Sequence, residues 1–233
     1  MCYNGSMSKD LVNQIDFDAI WPGFASHKLT VEKMSQDIAS LQDIASLVRD
    51  MFRDYQREQG ETRFPDEIAL LAYPQDLDNY RLKMAENHYL VRAVTDNSMM
   101  ELQQFVVLRE ARRRIIGDAM MQEQRAETIE GMVEYAGLSA LSQISRASFM
   151  EAMQGHLAAL RSPRALFDIL HMSISAGCLI CFALKSLGIS FHHKLSDSRT
   201  IYDFIPRESS EIEIIFNKRV KNGIYSKNRK SCI

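Results

Sequence analysis

The sequence predicts a mainly α-helical protein with little or no sheet, and three observations carry this prediction. Apolar residues between positions 38 and 55 recur at steps of three and four, which is the spacing of a helix with one buried face. Ser98 and the two residues before it form an N-cap cluster ahead of a second helical segment. Gly60 and Gly188 each follow a helical stretch, at a position where glycine commonly ends a helix.

The predicted helices follow one another along the chain with short connections. The first contains the hexad Gln-Asp-Ile-Ala-Ser-Leu twice, and we interpret this repeat as a local duplication within one helix. A loop and a short helix follow near Pro65. The predicted segments are Gln36 to Gly60, Leu77 to Val94, Met99 to Ala119, Glu123 to Ser142, Ser145 to Leu160 and Ala165 to Leu187.

Composition limits the classes of function. The 233 residues are 46% hydrophobic and 25% charged, with a formal net charge of -2, so nothing attracts the whole chain to nucleic acid or membrane. The longest apolar run, Ala176 to Leu184, is too short to cross a bilayer, and the N-terminus lacks the apolar region of a signal peptide. Four cysteines without a disulfide pattern favour a reducing compartment. We therefore expect a cytoplasmic protein with no membrane partner.

We divide the chain into three parts. Residues 1–14 are polar and are expected to be flexible, residues 15–205 form the helical domain, and residues 206–233 form a basic C-terminal tail. Within the tail, residues 212–216 can form one short strand. In the domain, the only tryptophan, Trp21, precedes a Pro-Gly turn, and we interpret it as a hydrophobic anchor rather than the wall of a substrate cleft.

The basic run Arg109 to Arg114 lies on a predicted helix. It has no aromatic residues between its charges and no basic partner segment nearby, so a nucleic-acid surface is the less favoured interpretation. We expect a solvated helix face.

Two further charged patterns suggest a site. Arg49 and Arg53 are one helical turn apart with Asp50 beside the first, and this i, i+4 frame is the one that His-Glu-x-x-His uses to bind zinc. Glu127, Glu130 and Glu134 form a stripe on a later helix whose neighbouring positions are apolar. Carboxylates on a partly buried helix need a cation or strong donors opposite. Taken alone, however, the stripe is more simply interpreted as solvated.

The order of these patterns resembles bacterial HExxH metallopeptidase-like proteins of the gluzincin superfamily. In that group the pattern runs approximately HE-x-F-H-x-x-Q, G-E-x-R-F-P-D-E, two helices, and E-G-x-x-E-Y. The resemblance extends over about Asp16 to Phe204, and the tail lies outside it. The corresponding strings are Arg49-Asp50-Met51-Phe52-Arg53-Asp54-Tyr55-Gln56, Gly60-Glu61-Thr62-Arg63-Phe64-Pro65-Asp66-Glu67 and Glu130-Gly131-Met132-Val133-Glu134-Tyr135.

The resemblance implies a helical zincin domain and assigns roles to five residues. Glu130 matches the third zinc ligand and Glu134 the acid one turn later. Arg49 and Arg53 occupy the two histidine positions, and Asp50 occupies the position of the general base. Arginine keeps its proton and offers no lone pair to a metal. We therefore expect no zinc, no other cofactor and no peptidase activity, and we expect the guanidinium groups to pair with Glu130, Glu134 or both.

Three functions remain open at this level. The favoured one is a non-catalytic binding or regulatory protein with an unknown peptide or protein partner. The alternative is an active metal-dependent hydrolase with a rearranged carboxylate site built from Asp50, Asp54, Glu130 and Glu134. A third possibility is an interaction module that uses the basic tail or the Arg109 to Arg114 face.

Overall fold

A computed structural model of the protein describes residues 10–26 and 40–207. These residues contain α-helices and short 3-10 helices, and no strand occurs among them. The prediction of a mainly helical fold is confirmed at this level. The expected strand at 212–216, the tail from residue 208 onward and residues 1–9 lie outside the described part of the chain.

The helices are labelled in chain order. A short 3-10 segment, Pro163–Phe167, connects the last two, and another, Ile201–Phe204, follows them. The α-helices are α1, Phe17–Ile20; α2, Leu41–Glu58; α3, Glu67–Leu71; α4, Leu77–Thr95; α5, Met99–Ile116; α6, Ala119–Ile144; α7, Arg146–Arg161; and α8, Ile169–Ser186.

Local capping chemistry sets most of these boundaries. Ser40 and Asp43 form a reciprocal capping box, so α2 begins at Leu41, the last residue of the first hexad. Residues 36–39, at the start of the predicted helix, lie outside the described part of the chain. Ser98 caps α5 as expected, accepting from the backbone N–H of Glu101. Gly117 ends α5 with a φ of 54°, which is earlier than the expected end at Ala119. Helix α6 therefore begins directly after this turn and is longer than predicted.

Helix α6 is the centre of the fold and packs against α2, α7 and α8. Its closest approach is to α8, where Gly131 faces Gly177. A Cβ atom on Gly131 would lie 2.5 Å from the Cα of Gly177. The glycine of the Glu-Gly-x-x-Glu string is therefore required by this backbone contact, because any side chain there would separate the two helices.

Trp21 packs in the core, as the anchor interpretation predicted. It is 2% exposed, and its ring makes edge contacts with Phe52 of α2 and with Phe191 after α8. Val12 and Ile15 are also buried in this core, so packing begins before the expected boundary at residue 15. The N-terminal segment is thereby fixed over α2.

Helix α8 is long and apolar enough to cross a membrane by length and composition. Two-thirds of it is buried inside the protein, against α6 in particular. Cys178 and Cys181 are among its fully buried residues, and burial raises the pKa of both thiols. These features are those of a core helix.

Candidate functional site

The candidate site lies where α2 crosses α6. The buried amide of Gln56 donates from Nε2 to the carbonyl oxygen of Ile129 at 3.2 Å and joins the two helices. One and two turns before Gln56, the side chains of Arg53 and Arg49 reach the same helix. The three polar residues of α2 at this crossing therefore face the glutamate stripe of α6.

Both arginines pair with a glutamate across the crossing. Arg49 donates from Nη2 to Oε1 of Glu134 at 2.7 Å, and Arg53 donates from Nη2 to Oε2 of Glu130 at 3.0 Å. Arg53 also donates from Nη1 to Asp50 at 3.0 Å. The expected pairing of these guanidinium groups with Glu130 and Glu134 is confirmed. The expectation of a solvated acidic stripe is wrong, because these carboxylates lie in a helix contact.

Glu134 has a second partner that the sequence did not indicate. His156 of α7 lies with Nε2 3.1 Å from Oε1 of Glu134 and with Nδ1 3.1 Å from the hydroxyl of Ser175. Burial disfavours the carboxylate, but the hydrogen bonds from His156 and Arg49 lower the pKa of Glu134 below its usual value. Glu134 is therefore an anion held by donors from two helices.

A glycine makes room for Arg49. A Cβ atom on Gly137 would lie 2.8 Å from Cγ and 2.9 Å from Nε of Arg49. The Arg49 Nε is buried and has no hydrogen-bond partner in the described structure. The guanidinium thus reaches Glu134 by lying across the bare backbone of α6.

The residues at this crossing do not fit zinc. A structural or catalytic zinc site needs about three or four ligands with available lone pairs. Here two protonated guanidinium groups lie directly on the carboxylates of Glu130 and Glu134, so a divalent cation would meet two positive charges. Asp50 is exposed and bonds to Arg53. The carboxylates of the crossing are therefore occupied by ion pairs with arginines and not available to a metal.

A second charged cluster lies in the interior, between α4, α5 and α6. We call it the buried network, and it contains three cations and three anions with almost no solvent contact. Its members are Lys83, Glu86, Arg109, Arg112, Glu123 and Glu127. The expectation that Arg109 to Arg114 is a solvated face is wrong for Arg109 and Arg112, which are both 0% exposed.

The two arginines of the buried network connect all three of its helices. Arg109 donates from Nη2 to Glu86 and to Glu127, each at 2.6 Å. Arg112 donates to Glu86 at 2.7 Å and to Glu123 at 2.6 Å. Lys83 completes the set with a bond to Glu123. Each carboxylate therefore has at least one cationic partner, as burial of charge requires.

The three glutamates of the buried network differ in the direction of their pKa shifts. Burial disfavours ionisation of all three, but Arg109 and Arg112 lower the pKa of Glu86 to about 2. Arg112 and Lys83 hold the pKa of Glu123 well below its usual value. Burial dominates at Glu127 and raises its pKa despite the contact with Arg109. Glu86 and Glu123 are thus the more acidic carboxyl groups of the network.

The three glutamates also have metal-binding geometry. One oxygen from each of Glu86, Glu123 and Glu127 lies within 4.8 Å of the others, and no other such group occurs among the residues that the structure describes. Lys83, Arg109 and Arg112 already balance these three charges. An ion placed there would leave excess positive charge in the interior.

The paired histidines after α8 do not form a metal site either. Nδ1 of His193 lies 2.7 Å from the carbonyl oxygen of Phe191, and its Nε2 accepts from Arg63 at 2.7 Å. Arg63 in turn donates from Nε to Glu61 at 2.8 Å. The Gly-Glu-x-Arg string therefore ties the loop after α2 to the segment after α8.

Comparisons of this chain with protein-family models, with curated proteins and with solved structures found no match.

Proposed function

We propose that the chain is a metallopeptidase-like protein that has lost zinc binding and peptidase activity and acts as a cytoplasmic, non-catalytic binding or regulatory protein. The observation that carries the proposal is the pair of cross-helix ion pairs, Arg49 to Glu134 and Arg53 to Glu130. In the frame implied by the resemblance, these guanidinium groups stand where a zinc ion would hold the same two helices together.

The two arginines replace the positive charge of a bound metal. A metal that joins two helices supplies positive charge to their carboxylates, and two arginines supply that charge without a metal. The helix contact can then persist while the Lewis acid and its activated water are lost. Asp50, at the position of the general base, accepts from the guanidinium of Arg53, which cannot activate a water as a bound metal does.

An active metal-dependent hydrolase with a rearranged carboxylate site is the alternative. The four acids of that site are all paired with arginines. Asp54 accepts from Arg57 at 3.1 Å and Asp50 accepts from Arg53, while Glu130 and Glu134 form the cross-helix pairs. The observation that favours this alternative is the buried glutamate trio, Glu86, Glu123 and Glu127. It requires displacement of three paired cations, so we place it second.

The test restores the zinc motif. We expect the wild-type protein, equilibrated with zinc and desalted, to retain no stoichiometric metal by elemental analysis and to cleave no casein. The variant Arg49→His/Asp50→Glu/Arg53→His should bind zinc, and adding Glu130→Gln should weaken this binding at least tenfold. Glu151→Gln, at an exposed position of α7, is the matched control and should leave zinc binding unchanged.

Two results would overturn the proposal. Stoichiometric zinc in the wild-type protein that is lost on Glu130→Ala would show a working site. Failure of the folded triple variant to bind zinc would show that the crossing does not have zincin geometry. Metal bound by the wild type and lost on Glu86→Gln, but not on Glu130→Ala, would favour the hydrolase alternative.

A further inference from the structure

An apolar groove of about 600 Å³ lies beside the short helix α3. Its walls include Leu71 of α3, Phe167 of the 3-10 segment and Leu170 at the start of α8. Leu71 is 88% exposed and Phe167 is 73% exposed, and Ile68, one turn before Leu71, is also largely exposed. Large apolar side chains clustered in this way around a concave surface are typical of a binding site.

The charge of the groove is one-sided. Glu67 and Asp168 line it, and its lining contains no lysine or arginine. The adjoining cap residues Asp66 and Asp76 are also exposed. An occupant that fits this surface therefore carries apolar side chains together with positive charge.

The segment 208–233 has this composition after an acidic start at Glu208, Glu211 and Glu213. Its apolar residues include Ile212 to Phe216 apart from Glu213, and after Glu213 it contains no acidic residue. Its cations are Lys218, Arg219, Lys221, Lys227, Arg229 and Lys230.

The described chain ends close enough to deliver this segment to the groove. Arg207 lies over the ring of Tyr202, whose hydroxyl donates to Glu110 of α5 at 2.7 Å. Ile116 is six residues further along α5, about 9 Å at the rise of a helix. Ile116 packs against Tyr73 and Ile169, which line the groove. Residues 208–233 extended would reach several times this distance.

We propose that the C-terminal segment 208–233 of the same chain docks into the groove formed by α3, the 3-10 segment and the start of α8. Apolar residues of the segment cover Leu71 and Phe167, and its basic residues lie against Glu67 and Asp168. The interaction is independent of the arginine pairs on α2, so its test is independent of the proposed function.

The experiment uses the full chain with a nitroxide on Cys232. Cys2→Ser leaves Cys232 with only Cys178 and Cys181 as further cysteines, and these two are buried. We expect the nitroxide to broaden the methyl resonances of Leu71 and Leu170 but not those of Leu47 on α2. Leu71→Glu/Phe167→Glu should abolish the remaining broadening at Leu170. Met100→Glu, an exposed apolar position outside the groove lining, is the matched control and should preserve it.

A mixed sample identifies the occupant. An isotope-labelled chain without nitroxide is combined with an unlabelled chain that carries it. Broadening at Leu71 and Leu170 in this mixture would overturn docking within one chain and assign the groove to a second copy. Absence of broadening at the groove in the singly labelled protein, or broadening at Leu170 that survives the double substitution, would also overturn the proposal.

Discussion

Arginines pair with glutamates of another helix both at the crossing of α2 and α6 and in the buried network, and these two regions differ in their exposure to solvent. At the crossing of α2 and α6, the Arg53 and Glu130 side chains are 38% and 30% exposed. In the buried network, Arg112, Glu86 and Glu123 have no exposed side-chain surface. A charge that loses its partner at the crossing can be hydrated, whereas one in the network cannot. The same residue types should therefore be replaceable in one region and indispensable in the other.

The largest expected effect is at Arg112. Arg112→Met leaves Glu86 and Glu123 with fewer cations in the interior, and loss of one partner of a buried pair costs about 3–5 kcal/mol. Arg113→Met is the matched control, because Arg113 is partly exposed and pairs with Glu110 at 3.2 Å. We expect it to cost less than about 1 kcal/mol. Urea denaturation measures both, and equal costs would remove the contrast between the regions.

Lowering the pH should reduce the free energy of unfolding mainly through the buried network. A carboxylate whose pKa is lower in the folded state stabilises the fold above its unfolded pKa, and this contribution is lost as the pH falls through the folded pKa. For Glu86 the window runs from 4.5 to about 2. The contribution of one such carboxylate is on the order of 2–3 kcal/mol. Glu127 acts in the opposite sense, since its raised pKa favours the folded state as the pH falls.

The test compares the pH dependence of the free energy of unfolding in the wild type and in Glu134→Gln. Glu134 also has a lowered pKa, so its removal should reduce the slope below pH 4.5. Most of the slope should remain, because Glu86 and Glu123 supply it. A variant with a flat profile would place the acid sensitivity at the crossing.

The glycine contact between α6 and α8 supports both regions, and its substitution should have an intermediate effect. A Cβ atom on Gly177 would overlap the carbonyl oxygen of Glu127. Gly177→Ala should therefore destabilise by about 1–3 kcal/mol through backbone displacement. Gly155→Ala in α7 meets no atom within 4 Å and should stabilise by about 0.5–1 kcal/mol. Thermal unfolding of both variants checks this, and a stabilised Gly177→Ala would contradict the contact.

The smallest effects are expected at the crossing itself. A double-mutant cycle of Arg49→Met and Glu134→Gln should give a coupling of about 1 kcal/mol, and one of Arg53→Met and Glu130→Gln about 0.5 kcal/mol or less. High salt should reduce the second coupling, because that pair is more exposed. A coupling above about 3 kcal/mol at either pair would make the crossing equivalent to the buried network.

The helices could be predicted from the sequence because their signals are local. Ser98 caps α5, and Gly60 and Gly188, both at positive φ, follow the ends of α2 and α8. The pairing of Arg49 and Arg53 with the later glutamates could also be predicted, from the spacing and the order of the strings. His156 could not, because its contact with Glu134 depends on how α7 packs and its sequence context carries no motif.

The sequence does not readily predict the buried network, because a run of arginines usually indicates a solvent-exposed helix face. A signal was present, however. Leu102, Phe105, Arg109, Arg112 and Ile116 follow one another at steps of three and four, so the buried stripe of α5 continues through both arginines. Their partners are on other helices, at Glu86 and Glu123, and only the packing of α4 and α6 against α5 brings these charges together.

The charge balance of the buried network has a consequence for how this sequence can change. The formal charges of three carboxylates and three cationic side chains sum to zero at a place closed to solvent, so one substitution at a time passes through an intermediate with a net buried charge. Paired exchanges that keep the sum at zero avoid that intermediate. Substitutions in the buried network should therefore occur in charge-compensating groups, at positions 83, 86, 109, 112, 123 and 127. Arg49 and Arg53, in contrast, can be substituted one at a time.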